Sequence, residues 1–319
     1  MELSAKSSPR LPFDVASICF GTSPLGSMPD TYGYEVSEER AHATIHALLD
    51  LDLCFIDTSR NYGLGRSEAR LGAVIRERGG LPDGAILATK LDRTFDDDRF
   101  DGDRARQSME ESLEALGLDR VHVVHLHDPE HCRDVSEVTR KGGALDVLFK
   151  MKEEGLVDAV GLAMGDLELM MQILPNWEFD ALINHNRFTL LNREADHMYS
   201  EAHARGIAIF NAAPYCGGVL ARGSANSTKI TYQDVNDEAM EPVRAIEKIC
   251  MRHDIPLGAA ALLFSMRDSR ITSTICGVSK PERVAETLEW ANWSISENAW
   301  ADLLALPYSG SNPEVAREI

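Results

Sequence analysis

Four side chains of the kinds that move protons stand at the ends of apolar runs. Asp57 closes the first of these in "LCFIDTSRNYGLGRSE", and Tyr62 follows five residues later. Lys90 closes "AILATK" and His127 closes "VHVVHLH". A carboxylate where a buried run stops needs an answering charge, and Lys90 is the natural partner. A cation beside a phenol favours phenolate and lowers its pKa from about 10 towards the working range. A tyrosine tuned in this way can give a proton to a carbinol oxygen or take one from it. Asp57 would hold the Lys90 ammonium in place, and His127 would hydrogen-bond and orient the same oxygen. The quartet contains no nucleophile and suits proton transfer coupled to hydride transfer. Asp57 and Lys90 in isolation are explained equally well as a structural ion pair. Tyr62 and His127 shift the reading towards a site.

The elements that must position these residues alternate along the chain. Strand-like runs fall at 15–21, 53–58, 85–90, 121–127, 157–163, 180–185, 207–212 and 271–277. Amphipathic stretches at 37–50, 66–78, 103–116, 193–205, 236–253 and 280–290 predict helices between them. Glu39 after Ser37, and Glu68 after Ser67, give two of these the acidic first turns that helix starts favour. Alternation of this kind implies parallel strands. Eight repeats without a linker fit one closed (β/α)₈ TIM barrel over 1–319 better than an open doubly wound sheet. The four proton-handling residues then share the C-terminal rim, where such barrels carry their active sites. The stretch 217–235, rich in Gly, Ser, Thr and Asn, reads as a long loop that closes on a ligand.

Bulk properties narrow the partners. A formal net charge of −19 disfavours any nucleic-acid partner. Six cysteines without a CxxC spacing read as reduced, mostly buried thiols. The N-terminal "MELSAKSSPRLPFD" lacks the apolar stretch of a signal peptide, and the longest apolar run, "LGAAALLF", is too short to span a bilayer. The expectation is a cytoplasmic protein with a small-molecule substrate and no membrane or nucleic-acid partner. Asn226 and Asn292 fit the N-x-S/T pattern by chance in such a chain.

The residues "FIDTSRNYG", "LATK" and "HLHDP" together resemble the aldo-keto reductase superfamily, whose tetrad is Asp, Tyr, Lys and His on a (β/α)₈ barrel. The resemblance covers nearly the whole chain. It implies an NAD(P)-dependent oxidoreductase with Asp57, Tyr62, Lys90 and His127 as catalytic residues. "GTSPLG", "YGLGRSEARLG", "LHDPE", "RFTLLN" and "APYCGGVLA" are most similar to the sugar-dehydrogenase branch. That branch holds the L-galactose, L-fucose and D-threo-aldose 1-dehydrogenases and related pyridoxal dehydrogenases. The implied reaction is oxidation of an aldose at C1 to its lactone, with aldehyde reduction or pyridoxal oxidation as alternatives.

The same resemblance places cofactor contacts at Gly21, Thr22 and Asp57, at Pro214, Tyr215, Gly217, Gly218 and Leu220 for the pyrophosphate, and at Gly277, Ser279, Lys280, Arg283 and Thr287 for the adenosine end. Two features depart from the family. Ala163 and Met164 stand where many members carry Ser-Asn to grip the nicotinamide, and Ala212 stands where many stack a Tyr. Asn184, His185 and Asn186 are the candidates to compensate. Arg283 and Lys280 suit NADP, while Gly277 replaces a Lys common in NADP-preferring members, which leaves NAD(P) with a lean to NAD. Two rival readings differ in class. One is a metal-dependent barrel hydrolase using His125 and His127, which share a strand face but meet few further ligands beyond Asp166. The other is a non-catalytic nucleotide-sensing subunit. Tyr32, Tyr34 and Trp177 read equally as substrate-pocket or packing aromatics.

Overall fold

The computed structural model describes residues 4–314. Eight parallel strands close into a barrel: β1 (Ile18–Gly21), β2 (Phe55–Asp57), β3 (Ile86–Leu91), β4 (Val121–His127), β5 (Val157–Ala163), β6 (Ala181–His185), β7 (Ala208–Ala212) and β8 (Ile271–Gly277). β8 pairs with both β7 and β1, so no sheet edge remains. The open doubly wound sheet is thereby ruled out. Val15 and Ala16, expected in the first barrel strand, instead pair antiparallel with Ala5 and Lys6.

Inward-facing residues fill the barrel. Cys19, Phe55, Ala88, Val123, Ala159, Ala181, Ala208 and Phe210 form one apolar cluster, which Leu11, Val15 and Ala16 continue. His125 shares this interior, edge-on to Phe210 at 6.0 Å between centroids, and burial pushes its pKa well down. Barrel interiors are packed cores, so polar chemistry is pushed to the rim.

Among the described residues, ten helices of seven residues or more cover the outside: α1 (Glu38–Leu49), α2 (Arg66–Glu77), α3 (Gly102–Leu116), α4 (Ala144–Glu153), α5 (Leu167–Ile173), α6 (Asp196–Ala204), α7 (Glu241–Arg252), α8 (Leu257–Met266), α9 (Pro281–Ala291) and α10 (Glu297–Leu304). Ser37 and Asp101 cap α1 and α3 by accepting from Arg40 N and Arg104 N. The helix expected after β7 over 236–253 is α7, but α7 and α10 pack against each other outside the barrel repeat. The helix that covers β8 is α8, the run "LGAAALLF". It is buried nearly all round, so it carries no 3.6-residue polar face for the sequence to show. The expected loop 217–235 is more ordered than its composition suggests. It holds short helical turns and a small hairpin pairing Lys229–Ile230 with Gln233–Asp234. Glu247 ties it down by accepting from both Ser224 N and Ser224 Oγ.

One buried carboxyl belongs to the barrel wall. Glu68 on α2 is fully buried and accepts from Thr89 Oγ1 at 2.5 Å, and burial raises its pKa to about 7. A carboxyl raised in the folded state stabilises most below its unfolded pKa, and that contribution is lost as pH climbs through the folded value. Glu68→Gln should therefore gain on wild type by about 2 kcal/mol between pH 5 and pH 8. Urea unfolding of both proteins at the two pH values measures this, and a pH-independent difference would show Glu68 to be ordinary.

Candidate active site

Adjacent strands bring the four expected residues together at the rim. Lys90 Nζ donates to Asp57 Oδ1 at 2.7 Å and Oδ2 at 2.8 Å, to Thr58 O at 2.8 Å, and to Tyr62 Oη at 3.0 Å. An ammonium has three protons, and here every one is engaged. The ion pair is almost wholly buried, with side-chain exposures of 2% and 4%. Removing one member of such a pair costs about 3–5 kcal/mol. Lys90 Nζ also lies 4.6 Å from the centre of the Tyr62 ring.

The turn that presents Tyr62 is held by close backbone contact. Gly63 has φ +65°, and a Cβ there would overlap the Gly26 carbonyl. Arg66, at the start of α2, donates to Gly26 O and Ser27 O and fixes the same junction. Tyr62 then stands edge-on to His127, with ring centroids 5.9 Å apart.

The electrostatics of Tyr62 differ from the sequence expectation. Burial pushes its phenol well above the usual value, and the Asp57 carboxylate adds to this. Lys90 fails to lower it because two Asp57 oxygens already answer the lysine's charge. The phenol is therefore held protonated in the unliganded site.

Asp92 is a residue the sequence reading missed. Its Oδ1 lies 2.5 Å from His127 Nδ1, and its Oδ2 accepts from Ser59 Oγ at 2.7 Å and Asn61 N at 2.9 Å. Asp92 stands two residues after Lys90, which placed it on the same strand face and was the available signal. On the other side of the ring, Asp128 Oδ2 is 3.4 Å from His127 Nε2. Burial pulls the His127 pKa down, but the two carboxylates outweigh it and hold it above the usual value. Among the described residues, no group of three or more His, Cys, Asp or Glu is placed to hold a metal ion. His127 is committed to Asp92, and Asp166 caps α5 by accepting from Leu169 N. The metal-hydrolase alternative lacks a ligand set.

A cavity of about 640 Å³ opens above these residues. Tyr62, Lys90, Asp57 and His127 line one part of it. Ala163, Met164, Ile183, Ala212 and Ile275 form an apolar section of the wall. Gly21, Tyr215, Gly217, Gly218, Gly277, Ser279, Lys280 and Arg283 also line it, joined by Arg40 and Arg222, which the sequence reading did not single out. Arg40 Nε donates to Ser279 O at 2.8 Å. Arg283 pairs with Glu286 at 2.8 Å.

Thr22, Asn186, Pro214, Leu220 and Thr287 lie buried behind this wall. Thr22 Oγ1 donates to Asp57 O and accepts from Ser67 Oγ, so it braces β1 against β2. Of the three candidates to replace the nicotinamide grip, His185 lines the cavity. Asn184 gives its amide to Met164 O, and Asn186 turns towards His185 and Glu314. Tyr32 and Tyr34 line the cavity together with Tyr232 from the hairpin. Trp177 stacks on Phe149 at 5.3 Å and is a packing residue.

The wall fits a nicotinamide dinucleotide. Ala163 and Ala212 keep part of the wall small and apolar, Gly217 and Gly218 at φ +71° and +98° let backbone approach closely, and Arg40, Arg222 and Lys280 add cations to the same wall. With a proton donor at Tyr62 and a donor at His127, the arrangement can move a proton on or off an oxygen while hydride moves at the attached carbon.

Comparison with known proteins agrees with this geometry. The model of the aldo/keto reductase family matches residues 17–306. D-threo-aldose 1-dehydrogenase of Pseudomonas sp is 30% identical over 295 residues, covering 84% of this chain and 88% of that protein. Pyridoxal 4-dehydrogenase of Microbacterium luteolum is 25% identical, covering 92% and 94%. An aldo-keto reductase of Bacillus halodurans in its holo form superposes with a TM-score of 0.77 at 17% identity, covering 99% of this chain and 100% of that one. At that identity the superposition speaks for the fold alone.

The double carboxylate around His127 has a measurable consequence. Asp92→Asn removes one of the two charges that raise the ring, so the imidazole pKa should fall by about one unit or more. NMR titration of the histidine ring protons in wild type and variant reads this directly, and coincident curves would show that Asp92 contributes geometry alone. Gly63→Ala tests the turn. It should destabilise the fold by about 1–3 kcal/mol, seen as a lower Tm, whereas an unchanged Tm would mean the junction relaxes freely.

Proposed function

The chain belongs to the aldo/keto reductase family and is an NAD(P)-dependent oxidoreductase, and from that premise we propose that it oxidises an aldose at C1 to the lactone. The observation that carries this reading is that Tyr62 and His127, with ring centroids 5.9 Å apart, line one cavity together with Asp128. An apolar aldehyde has no use for that charge, and a hydroxylated ring does. The D-threo-aldose 1-dehydrogenase resemblance supports the same substrate class.

In this reading Tyr62 and His127 bind the C1 hydroxyl, and Tyr62, once ionised, receives its proton. Lys90, saturated by Asp57, Thr58 and Tyr62, fixes the phenol oxygen in place. A bound nicotinamide supplies the hydride acceptor. Gly21, Tyr215, Gly217, Gly218, Gly277, Ser279, Lys280 and Arg283 would hold it, with His185 nearest to replacing the missing Ser-Asn grip. Arg40 beside Ser279 gives a 2′-phosphate a place, whereas Glu286 neutralises Arg283 and opposes it. The cofactor is thus NAD(P), and kcat/KM measured with NAD and with NADP decides between them.

Tyr62→Phe should keep the fold and reduce turnover by about 10²- to 10⁴-fold. Circular dichroism checks the fold, and nicotinamide absorbance with a panel of aldoses and pyridoxal checks the rate. A variant that retains most of the wild-type rate would remove Tyr62 from the mechanism. The raised phenol pKa adds a directional signature. Oxidation must first strip the Tyr62 proton, so its rate should climb throughout about pH 7–10, while reduction of the lactol-forming aldehyde stays flat. A plateau in the oxidation profile near neutrality would show that the occupied site lowers the phenol after all.

A further inference from the structure

Asp128 is a charged residue at the reacting end of the cavity that the proton chemistry leaves unused. It follows His127 directly, in a left-handed conformation with φ +43°. Its backbone N–H is pinned to Ala163 O at 2.8 Å, across the barrel rim. This bend points the side chain into the cavity rather than along the strand, and Asp128 lines it beside Tyr62 and His127. Oδ2 lies 3.4 Å from His127 Nε2, but Oδ1 is buried without a hydrogen-bond partner. Burial pushes the carboxyl up, yet the charges of His127, His185, His131 and Lys90 outweigh it and hold it below the usual range.

A buried carboxylate oxygen accepts hydrogen bonds and donates none, so whatever completes Oδ1 must bring an O–H or N–H. Among the described residues, no side chain donates to Oδ1. Glu130, two residues on, accepts on Oε1 from Gly165 N at 2.6 Å and Asp166 N at 3.0 Å, and its Oε2 is likewise buried without a partner. The position of Asp128 narrows the donor further. In the proposed reaction the reacting oxygen bonds Tyr62 Oη and His127 Nε2, and Asp128 Oδ2 lies 3.4 Å from that same nitrogen. A group that bonds the Asp128 carboxylate from there is one attached to the carbon next to the reacting one. On a sugar that group is the hydroxyl vicinal to C1, and neighbouring oxygens of a ring are spaced about as two hydrogen-bonded atoms are.

We propose that Asp128 selects substrates bearing a hydroxyl on the carbon adjacent to the reacting carbon, by accepting that hydroxyl's hydrogen bond on its carboxylate. The inference rests on the aldose-oxidation reading and names the feature of the aldose that the site inspects. A substrate lacking the hydroxyl leaves the carboxylate desolvated and unpaired, which sites of this kind reject strongly. Asp128 acts on substrate choice. Its charge also reaches His127, but that influence is common to every substrate and cancels in a ratio.

The test compares kcat/KM for an aldose and its 2-deoxy counterpart in wild type, Asp128→Asn and Asp128→Ala, with NAD(P) as oxidant. Wild type should prefer the hydroxylated sugar by about 100-fold or more. Asp128→Ala should shrink the preference to about 10-fold or less, and Asp128→Asn, which keeps an acceptor oxygen, should fall between. Melting curves confirm that each variant is folded. An undiminished preference in the alanine variant, or no preference in wild type, overturns the proposal. If wild type oxidises neither sugar but reduces aldehydes, the aldose reading fails on its own. Glycolaldehyde against acetaldehyde then puts the same question to Asp128, with the same ratios deciding it.

Discussion

Everything at the rim of this barrel follows from burying one ammonium. A lysine taken out of water is tolerated when all three of its protons find strong acceptors. Lys90 finds them in the Asp57 carboxylate, the Thr58 carbonyl and the Tyr62 hydroxyl. Two of these come from β2 and its immediate continuation, which the register of adjacent parallel strands sets beside β3. The third must come from a loop, and this is why the turn after β2 is so tightly held against Gly26. Tyr62 is thus part of the lysine's solvation shell before it is anything else. Structure and chemistry here are one arrangement, since the ligand that completes the ammonium is the one that faces the cavity.

The barrel and the quartet were legible because both depend on short-range pattern. Apolar runs ending in polar residues mark strands and their rim ends, and strand order makes three consecutive rims neighbours. What stayed illegible depended on contacts that no local pattern encodes. Asp92 sits on the readable face, but only the fold shows that it meets His127 from a neighbouring strand. Arg40 reaches Ser279 across 239 positions of sequence. Helix α8 was hidden for the opposite reason: buried on all sides between barrel and outer helices, it shows no alternation at all. The hairpin at 229–234 is a few residues long and is held by Gln233, which donates to Pro313 O, while Glu247 on α7 anchors the preceding turn at Ser224, neither visible in composition.

The Tyr62 phenol shows where pairwise reasoning from sequence fails. Lysine beside tyrosine predicts an acidic phenol. The same lysine beside an aspartate offers little net field, and burial then dominates. The sign of a pKa shift belongs to the whole cluster, and a cluster is known only when its members' distances are.

Along the cavity the fixed charges change sign. Asp57 and Asp128 line it beside Tyr62 and His127, and Arg40, Arg222, Lys280 and the Glu286-paired Arg283 line it as well. The protein as a whole carries −19, so an anionic dinucleotide is repelled by most of the surface it meets. The basic residues of this wall, chiefly Arg40, Arg222 and Lys280, therefore attract the dinucleotide before any contact forms. Approach with the phosphates leading towards those arginines is favoured and the reversed approach is not, so orientation is sorted during diffusion rather than after docking. Such steering weakens once ions shorten the reach of the field to about 10 Å or less, which ties the speed of cofactor capture to ionic strength while leaving the seated geometry unchanged.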